Sequence, residues 1–182
     1  MPDENEFFIK SKRLGFRQWT KKDFEFALVL WADPEVTKNI IGKASLSENE
    51  IRERLYEEIQ TYEKYGIQYW PIFLLEGDQF IGCCGLRPYD DQKKILEIGF
   101  HICSKQWRKG FASEAALAVI DYAFDKLKVS ALFAGHNPQN EASRNLLFKL
   151  GFKYTYDEFY EPTGLIHPSY LFTAEDFSRK KC

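Results

Sequence analysis

Hydrophobic and polar positions divide the chain into short blocks with two different periods. Residues 7–19 (FFIKSKRLGFRQW) read as mostly extended, with Leu14, Phe16 and Gln18 on alternating positions. Thr20, with Asp23 three residues on, is placed to cap a short helix over 21–31, which Asp33-Pro34 stops. Residues 34–46 are polar and read as irregular. Ser47 and Glu50 then form a capping-box pair before IRERLYEEIQTYEKYG, where Ile51, Leu55, Ile59 and Tyr62 share one helical face and Gly66 closes it.

Strands are predicted at 68–76 and 79–88, separated by the hairpin-length gap Gly77-Asp78. Asp90-Asp91-Gln92 marks a turn, and 94–103 is a further strand. A helix over 110–128 turns Ala112, Ala116, Val119, Ile120, Ala123 and Leu127 inward and Glu114, Asp121, Asp125 and Lys128 outward. SALFAGH (130–136) reads as a strand buried on both sides. A helix follows from Asn137 or Asn140 to Gly151, then strands at 152–160 and 168–174 joined by a loop with Pro162 and Gly164, then a polar tail. The order β-α-α-β-β-β-α-β-α-β-β combines an early hairpin with later strand–helix–strand units. It predicts an α/β fold, a mixed sheet with helices on both faces.

Bulk composition narrows the function classes. A chain of 182 residues is expected to be one domain, 1–182, large enough to bury about 70% of its unfolded surface. A net charge of −2 gives no whole-chain reason to expect nucleic acid. No apolar run is long enough to span a membrane, and the opening MPDENEFF lacks a signal-peptide pattern, so a cytoplasmic location is expected. The four cysteines, Cys83, Cys84, Cys103 and Cys182, match no zinc spacing, so no metal is expected and reduced thiols are.

The stretch ILEIGFHICSKQWRKGFASEA carries the candidate chemistry. It reads as a buried strand, a basic turn and the start of a helix. The N–H groups of residues 108–113 precede the helical ladder, the helix dipole adds positive potential, and Lys105, Arg108 and Lys109 add charge. Such a turn receives a phosphate; the alternative is a solvated basic turn. No nucleoside-triphosphate P-loop motif is present. Within the strand, Glu97, Gly99 and His101 fall on one face. A carboxylate in an apolar strand is costly unless partnered, so Glu97 is either a tuned base or half of a structural ion pair.

The element order, with Trp107-x-x-Gly110-x-Ala112 opening a helix, resembles the GNAT superfamily of acetyl-CoA-dependent N-acetyltransferases, and within it the RimJ/RimL-type branch. Four segments carry the likeness: Arg13–Arg17 with Asp23, Glu97–Phe100, Trp107–Ser113 with Glu114-Ala115, and Asn140-x-x-Ser143 with Leu150-Gly151-Phe152. Arg108 departs from the branch, which often has glycine there. Leu147 departs from the wider superfamily, which often has a tyrosine general acid there.

The resemblance implies a single GNAT-type domain, a mixed twisted sheet of about seven strands with a splayed central strand pair. The strand before the loop is expected to be bulged, with freed backbone groups. Acetyl-CoA would be held by Ile102, Cys103, Ser104, Trp107, Arg108, Lys109, Gly110, Phe111, Ala112, Ser113, Asn140, Ser143 and Phe148, with Arg144 beside them. Ile102 or Cys103 would offer its N–H to the thioester carbonyl. Glu97 is the implied base, His101 the alternative and His136 a weaker one; Ser143 is the candidate acid. Cys103 near His101 admits a covalent route, although direct transfer is the family's habit.

The implied reaction is acetyl transfer to a primary amine, a protein or peptide N-terminus in this branch. The alternatives are a small amine (polyamine, amino acid or aminoglycoside) and a non-catalytic CoA-binding sensor or scaffold. Monomer and homodimer are both open. Removing the proton from an α-amino group near pKa 8 costs about 1.4 kcal/mol at pH 7, against about 4.6 for a lysine near 10.4. The acceptor pocket is expected from 32–46 and 159–168, with Trp31, Trp70, Tyr89, Tyr156, Tyr160 and Tyr170 as possible walls. Acidic residues there (Asp33, Glu35, Asp90, Asp91, Asp157, Glu158, Glu161) would attract a cation.

Overall fold

The alternating stretch near the start of the chain closes into a ribbon, β1 (Ile9–Lys10) and β2 (Leu14–Phe16), that leads the sheet. This computed structural model describes residues 6–42 and 45–181; Met1–Asn5, Lys43, Ala44 and Cys182 lie outside them. Thr20 and Asp23 form a reciprocal capping box around one 3-10 turn, which continues into α1 (Phe24–Trp31).

The segment after Asp33 is not irregular: it forms α2 (Pro34–Ile41). The Asp33 carboxylate accepts the Glu35 N–H at 2.9 Å, and Pro34 takes the first helical position, where a missing N–H costs nothing. The same two residues therefore end one helix and begin the next. α3 (Glu48–Tyr65) has the Ser47–Glu50 box and a left-handed Gly66 at its end.

β3 (Tyr69–Leu74), β4 (Phe80–Asp90), β5 (Ile95–Ile102), α4 (Phe111–Tyr122), β6 (Ala131–Gly135), α5 (Glu141–Leu150), β7 (Lys153–Tyr160) and β8 (Leu165–Thr173) follow in the expected order, and the polar tail forms α6 (Ala174–Lys181). α4 runs into one π-helical turn, Ala123–Leu127. The wider turn changes the helical phase. Leu127, expected inward, is 37% exposed, and Phe124 is buried.

The sheet has eight strands in the order β1-β2-β3-β4-β5-β6-β8-β7. Strands β1 to β5 pair antiparallel, β5 and β6 parallel, and β6, β8 and β7 antiparallel. One face packs Trp19, Trp31, Ile51, Leu55 and Cys83 beneath α1 and α3; the other packs Trp70, Cys84, Ile98, Leu132 and Phe172 beneath α4 and α5. Cys83 and Cys84 fall on opposite faces, as strand alternation requires.

One irregularity positions the site. β5 pairs with β6 only from Ile95–Glu97 to Ala131–Phe133, although β5 continues to Ile102 and β6 to Gly135. Beyond that ladder the two strands part. β4 stays paired with β5 out to Gly82–Ile102, and the register shift on that side lies on β4, between Pro88 and Asp90. The bulge expected on β5 is therefore on its neighbour.

Candidate active site

The basic turn between β5 and α4 is built to present backbone donors. The α4 ladder begins with the Glu114 N–H donating to the Gly110 carbonyl at 3.1 Å, so the N–H groups of residues 110–113 precede it. Arg108 (φ 63°) and Gly110 (φ 81°) are both left-handed, a backbone shape that gathers N–H groups into an anion-sized concavity. Glycine adopts it freely; at Arg108 it costs about 1 kcal/mol or more.

Several bonds brace the turn. The Trp107 N–H donates to the Ser104 carbonyl at 3.1 Å and its indole N–H to the Ile102 carbonyl at 2.8 Å. Lys109 Nζ donates to Gln106 Oε1 at 2.8 Å. Arg13 donates to the Lys109 carbonyl at 3.1 Å and to the Glu114 carboxylate at 2.7 Å, and its guanidinium lies 4.4 Å over the Phe111 ring. Arg13 and Glu114 thus clamp the β1–β2 ribbon to the loop. Each belongs to a segment legible in the sequence, but their pairing is not.

The gap between β5 and β6 opens beside this turn. The Cys103 N–H donates to the Ile81 carbonyl at 3.0 Å, which fixes the parity of the antiparallel ladder. Backbone groups of Glu97, Gly99, His101 and Cys103 face β4; those of Ile98, Phe100 and Ile102 face β6. Past the short β5–β6 ladder, Phe100 and Ile102 therefore line the gap. The Cys103 N–H is committed to β4, which leaves Ile102 as the donor on the open side and adds Phe100, a position the sequence did not single out. The Ser104 hydroxyl donates to the Asp33 carboxylate. The Cys103 thiol is buried, and burial with the nearby Asp33 charge pushes it up to about 11. It is not a ready nucleophile.

The opposite wall is the start of α5. Asn140 Oδ1 accepts the Ser143 N–H at 3.1 Å, so Asn140 caps the helix and Ser143 sits in its first turn. Phe148 is 54% exposed and meets the Tyr170 ring edge-on at 5.7 Å. Leu147 is core. His136 Nδ1 lies 2.8 Å from the Asn137 carbonyl and must donate to it; Nε2, 3.1 Å from the Tyr170 hydroxyl, accepts. Burial pushes this ring's pKa down, and it is a packed neutral histidine.

Glu97 lies on the other face of β5, directly across from Arg87 on β4. The Arg87 guanidinium pairs with Glu58, a fully buried carboxylate that also accepts the Tyr69 N–H at 2.9 Å. Arg87 also lies 4.3 Å over the Tyr69 ring. A Cβ at Gly99 would come within 2.2 Å of the Tyr69 hydroxyl oxygen. Glycine there lets the phenol reach across β4 to lie over β5 near Glu97. Burial raises the Glu97 carboxyl above its ordinary range, while Arg87 and the Tyr69 hydroxyl oppose the shift. A cleft of about 390 Å³ opens here, lined by Glu97, Arg87, Pro88, Glu57, Thr61 and Tyr65.

His101 shares this face, as the alternation predicts. Its Nδ1 lies 3.3 Å from the Trp31 indole nitrogen, which can only donate, so the lone pair is engaged and the proton sits on Nε2. Burial pushes its pKa well down.

The β7–β8 hairpin borders the same space. The Tyr156 and Tyr89 hydroxyls are 2.7 Å apart. The hairpin tip touches the end of α2: a Cβ at Gly42 would meet Thr163 Cα at 3.3 Å. Glu158 and Tyr160 lie within electrostatic reach of Glu97. Of the aromatic candidates, Tyr89, Tyr156 and Tyr160 stand here, whereas Trp31, Trp70 and Tyr170 belong to the core. Among the described residues, no cluster of His, Cys, Asp and Glu could hold a metal, and no helix is long and apolar enough to cross a membrane.

The acetyltransferase (GNAT) domain family matches residues 13–153 of this chain. The uncharacterized N-acetyltransferase YoaA of Bacillus subtilis is 34% identical over 150 residues, 80% of this chain and 82% of that protein. The uncharacterized N-acetyltransferase p20 of Bacillus licheniformis is 32% identical over 147 residues, again 80% of this chain and 82% of that one. Among solved structures, the acetyltransferase (GNAT family) from Bacillus anthracis superposes with a TM-score of 0.80 at 25% identity, covering 93% of this chain and 99% of that one. RimL, the ribosomal L7/L12 alpha-N-protein acetyltransferase in complex with coenzyme A, superposes with a TM-score of 0.79 over 94% of this chain and 99% of that one. At 13% identity, that is a likeness of fold.

Proposed function

This chain belongs to the GNAT acetyltransferase family, and we propose that it transfers acetyl from acetyl-CoA to the N-terminal amine of a peptide or protein by direct attack in a ternary complex. The observation that carries the reading is the division of β5: its even-numbered backbone groups open onto the β5–β6 gap, and its odd-numbered Glu97 opens onto a cleft on the other side.

The residues present fit acetyl-CoA. The N–H groups of residues 108–113, with Lys105, Arg108 and Lys109, suit a pyrophosphate. Phe100 offers strand-like bonds to an amide-rich arm, while the Ile102 carbonyl already accepts the Trp107 indole N–H. Once bound, acetyl-CoA supplies an activated acyl carbon and a thiolate leaving group. The Ile102 N–H faces the place where charge develops on the acyl oxygen. Glu97, five strand residues before Ile102, takes the proton released as the amine nitrogen bonds to the acyl carbon, through a chain of bridging waters. Ser143 hands a proton to sulfur as the carbon–sulfur bond breaks and recovers one from solvent. The Cys103 thiol has no part.

An N-terminal amine suits a single carboxylate base, because its deprotonation at pH 7 costs about 1.4 kcal/mol, not the roughly 4.6 of a lysine. The test is calorimetry with acetyl-CoA, followed by CoA release against peptides and small amines. Binding with release by peptides supports the reading. Binding with release only by small amines replaces the acceptor, and binding with no release by any amine makes the chain a CoA-binding module.

A further inference from the structure

α3 brings a second charged group toward the face of β5 that carries Glu97 and His101, and acetyl transfer as described leaves it without a task. Arg54 stands one helical turn before Glu58. Its guanidinium lies 4.9 Å over the Trp31 ring, and Trp31 in turn holds His101 on the face of β5 that carries Glu97. Glu58 does not neutralise Arg54, because it is committed to Arg87 and the Tyr69 N–H. The Arg54 Nε is buried and has no hydrogen-bond partner. Among the described residues no carboxylate pairs with Arg54. Tyr160, from the β7–β8 hairpin, lies within electrostatic reach of Glu97, Arg54 and Arg87.

A buried donor with no acceptor is costly, and a guanidinium carries its N–H donors as a rigid planar fork. That fork matches a carboxylate. We propose that Arg54 receives an acidic side chain of the acceptor, carried by a peptide close to its N-terminal amine. The inference rests on the acetyl-transfer reading.

The test uses two four-residue peptides with free N-termini, identical except for Glu or Gln at the second and third residues. With the wild-type protein and acetyl-CoA, kcat/KM for the Glu peptide should exceed that for the Gln peptide at least tenfold. Arg54→Gln should lower that ratio at least tenfold, mainly through KM, and Arg54→Lys should restore part of it. A wild-type ratio near one, or a ratio that Arg54→Gln leaves in place, overturns the proposal. Calorimetry with the same peptides and CoA separates the two claims. Glu-peptide binding that weakens tenfold in Arg54→Gln, without CoA release by any amine, keeps the anion site and overturns acetyl transfer. Turnover of both peptides without acid preference does the reverse.

Discussion

Arg87 on β4 stands directly across the ladder from Glu97 on β5, yet its guanidinium is held by the buried Glu58 on α3. Glu97 is therefore beside a cation that already has a partner. Its other neighbour is the phenol of Tyr69, which reaches it across Gly99. A carboxylate so placed is part buried and only part compensated, the condition that raises its pKa toward that of a useful base.

That condition has a cost in stability that depends on pH. Below its ordinary value of 4.5 the Glu97 carboxyl is protonated in folded and unfolded chain alike. As pH rises to and through the higher folded value, ionisation favours the unfolded chain, and the fold loses stability. Glu97→Gln should therefore raise the urea midpoint at pH 8 and raise it less at pH 4. An equal gain at both pH values would contradict the raised carboxyl.

Glu58 and Arg87 should behave as one unit. Removing the fully buried carboxylate in Glu58→Ala strands both Arg87 and the Tyr69 N–H, and should cost about 3–5 kcal/mol. Arg87→Ala should cost less, since that side chain is 33% exposed. The double variant should fall short of the sum by at least about 1 kcal/mol in urea unfolding. Additive losses would show that the two do not share a network.

Arg108 keeps a left-handed backbone without being glycine. Arg108→Gly should leave stability level or higher by up to about 1 kcal/mol, because released strain offsets glycine's greater unfolded entropy. It should weaken acetyl-CoA binding at least threefold by removing a cation from the proposed phosphate site. Unchanged affinity in calorimetry would make the side chain a bystander.

The buried Cys103 thiol, pushed up to about 11, predicts that no acetyl group passes through sulfur on the protein. Intact-mass measurement after rapid mixing with acetyl-CoA should find no chain heavier by one acetyl. A transient adduct on Cys103 would overturn direct attack.

The frame of the fold was legible because its signals are local. The Ser47–Glu50 box, Gly66, the Gly77-Asp78 hairpin and the Asn140 cap act within a few residues of themselves. α2 was missed because Asp33-Pro34 is both a stop and a start signal. Leu127 was misplaced because a π-turn changes helical phase without marking the sequence. At the site, alternation correctly put Glu97, Gly99 and His101 on one face. Ladder parity, which separates the Ile102 and Phe100 donors from that of Cys103, depends on a register that no residue type encodes. The Arg13–Glu114 clamp and the Glu58–Arg87–Tyr69 network join positions far apart in the chain, and only the folded sheet brings them together.

The central claim is that Glu97 takes the proton from the acceptor amine while the loop across β5 holds the cofactor. The most direct measurement is the turnover number of Glu97→Gln beside its acetyl-CoA affinity, on the same protein with the best peptide acceptor. A base acting in the transfer predicts kcat lower by about 10²–10⁴-fold, with the calorimetric Kd for acetyl-CoA within about threefold of wild type. A kcat near that of wild type, or a loss of acetyl-CoA affinity that accounts for the whole loss of rate, would contradict it.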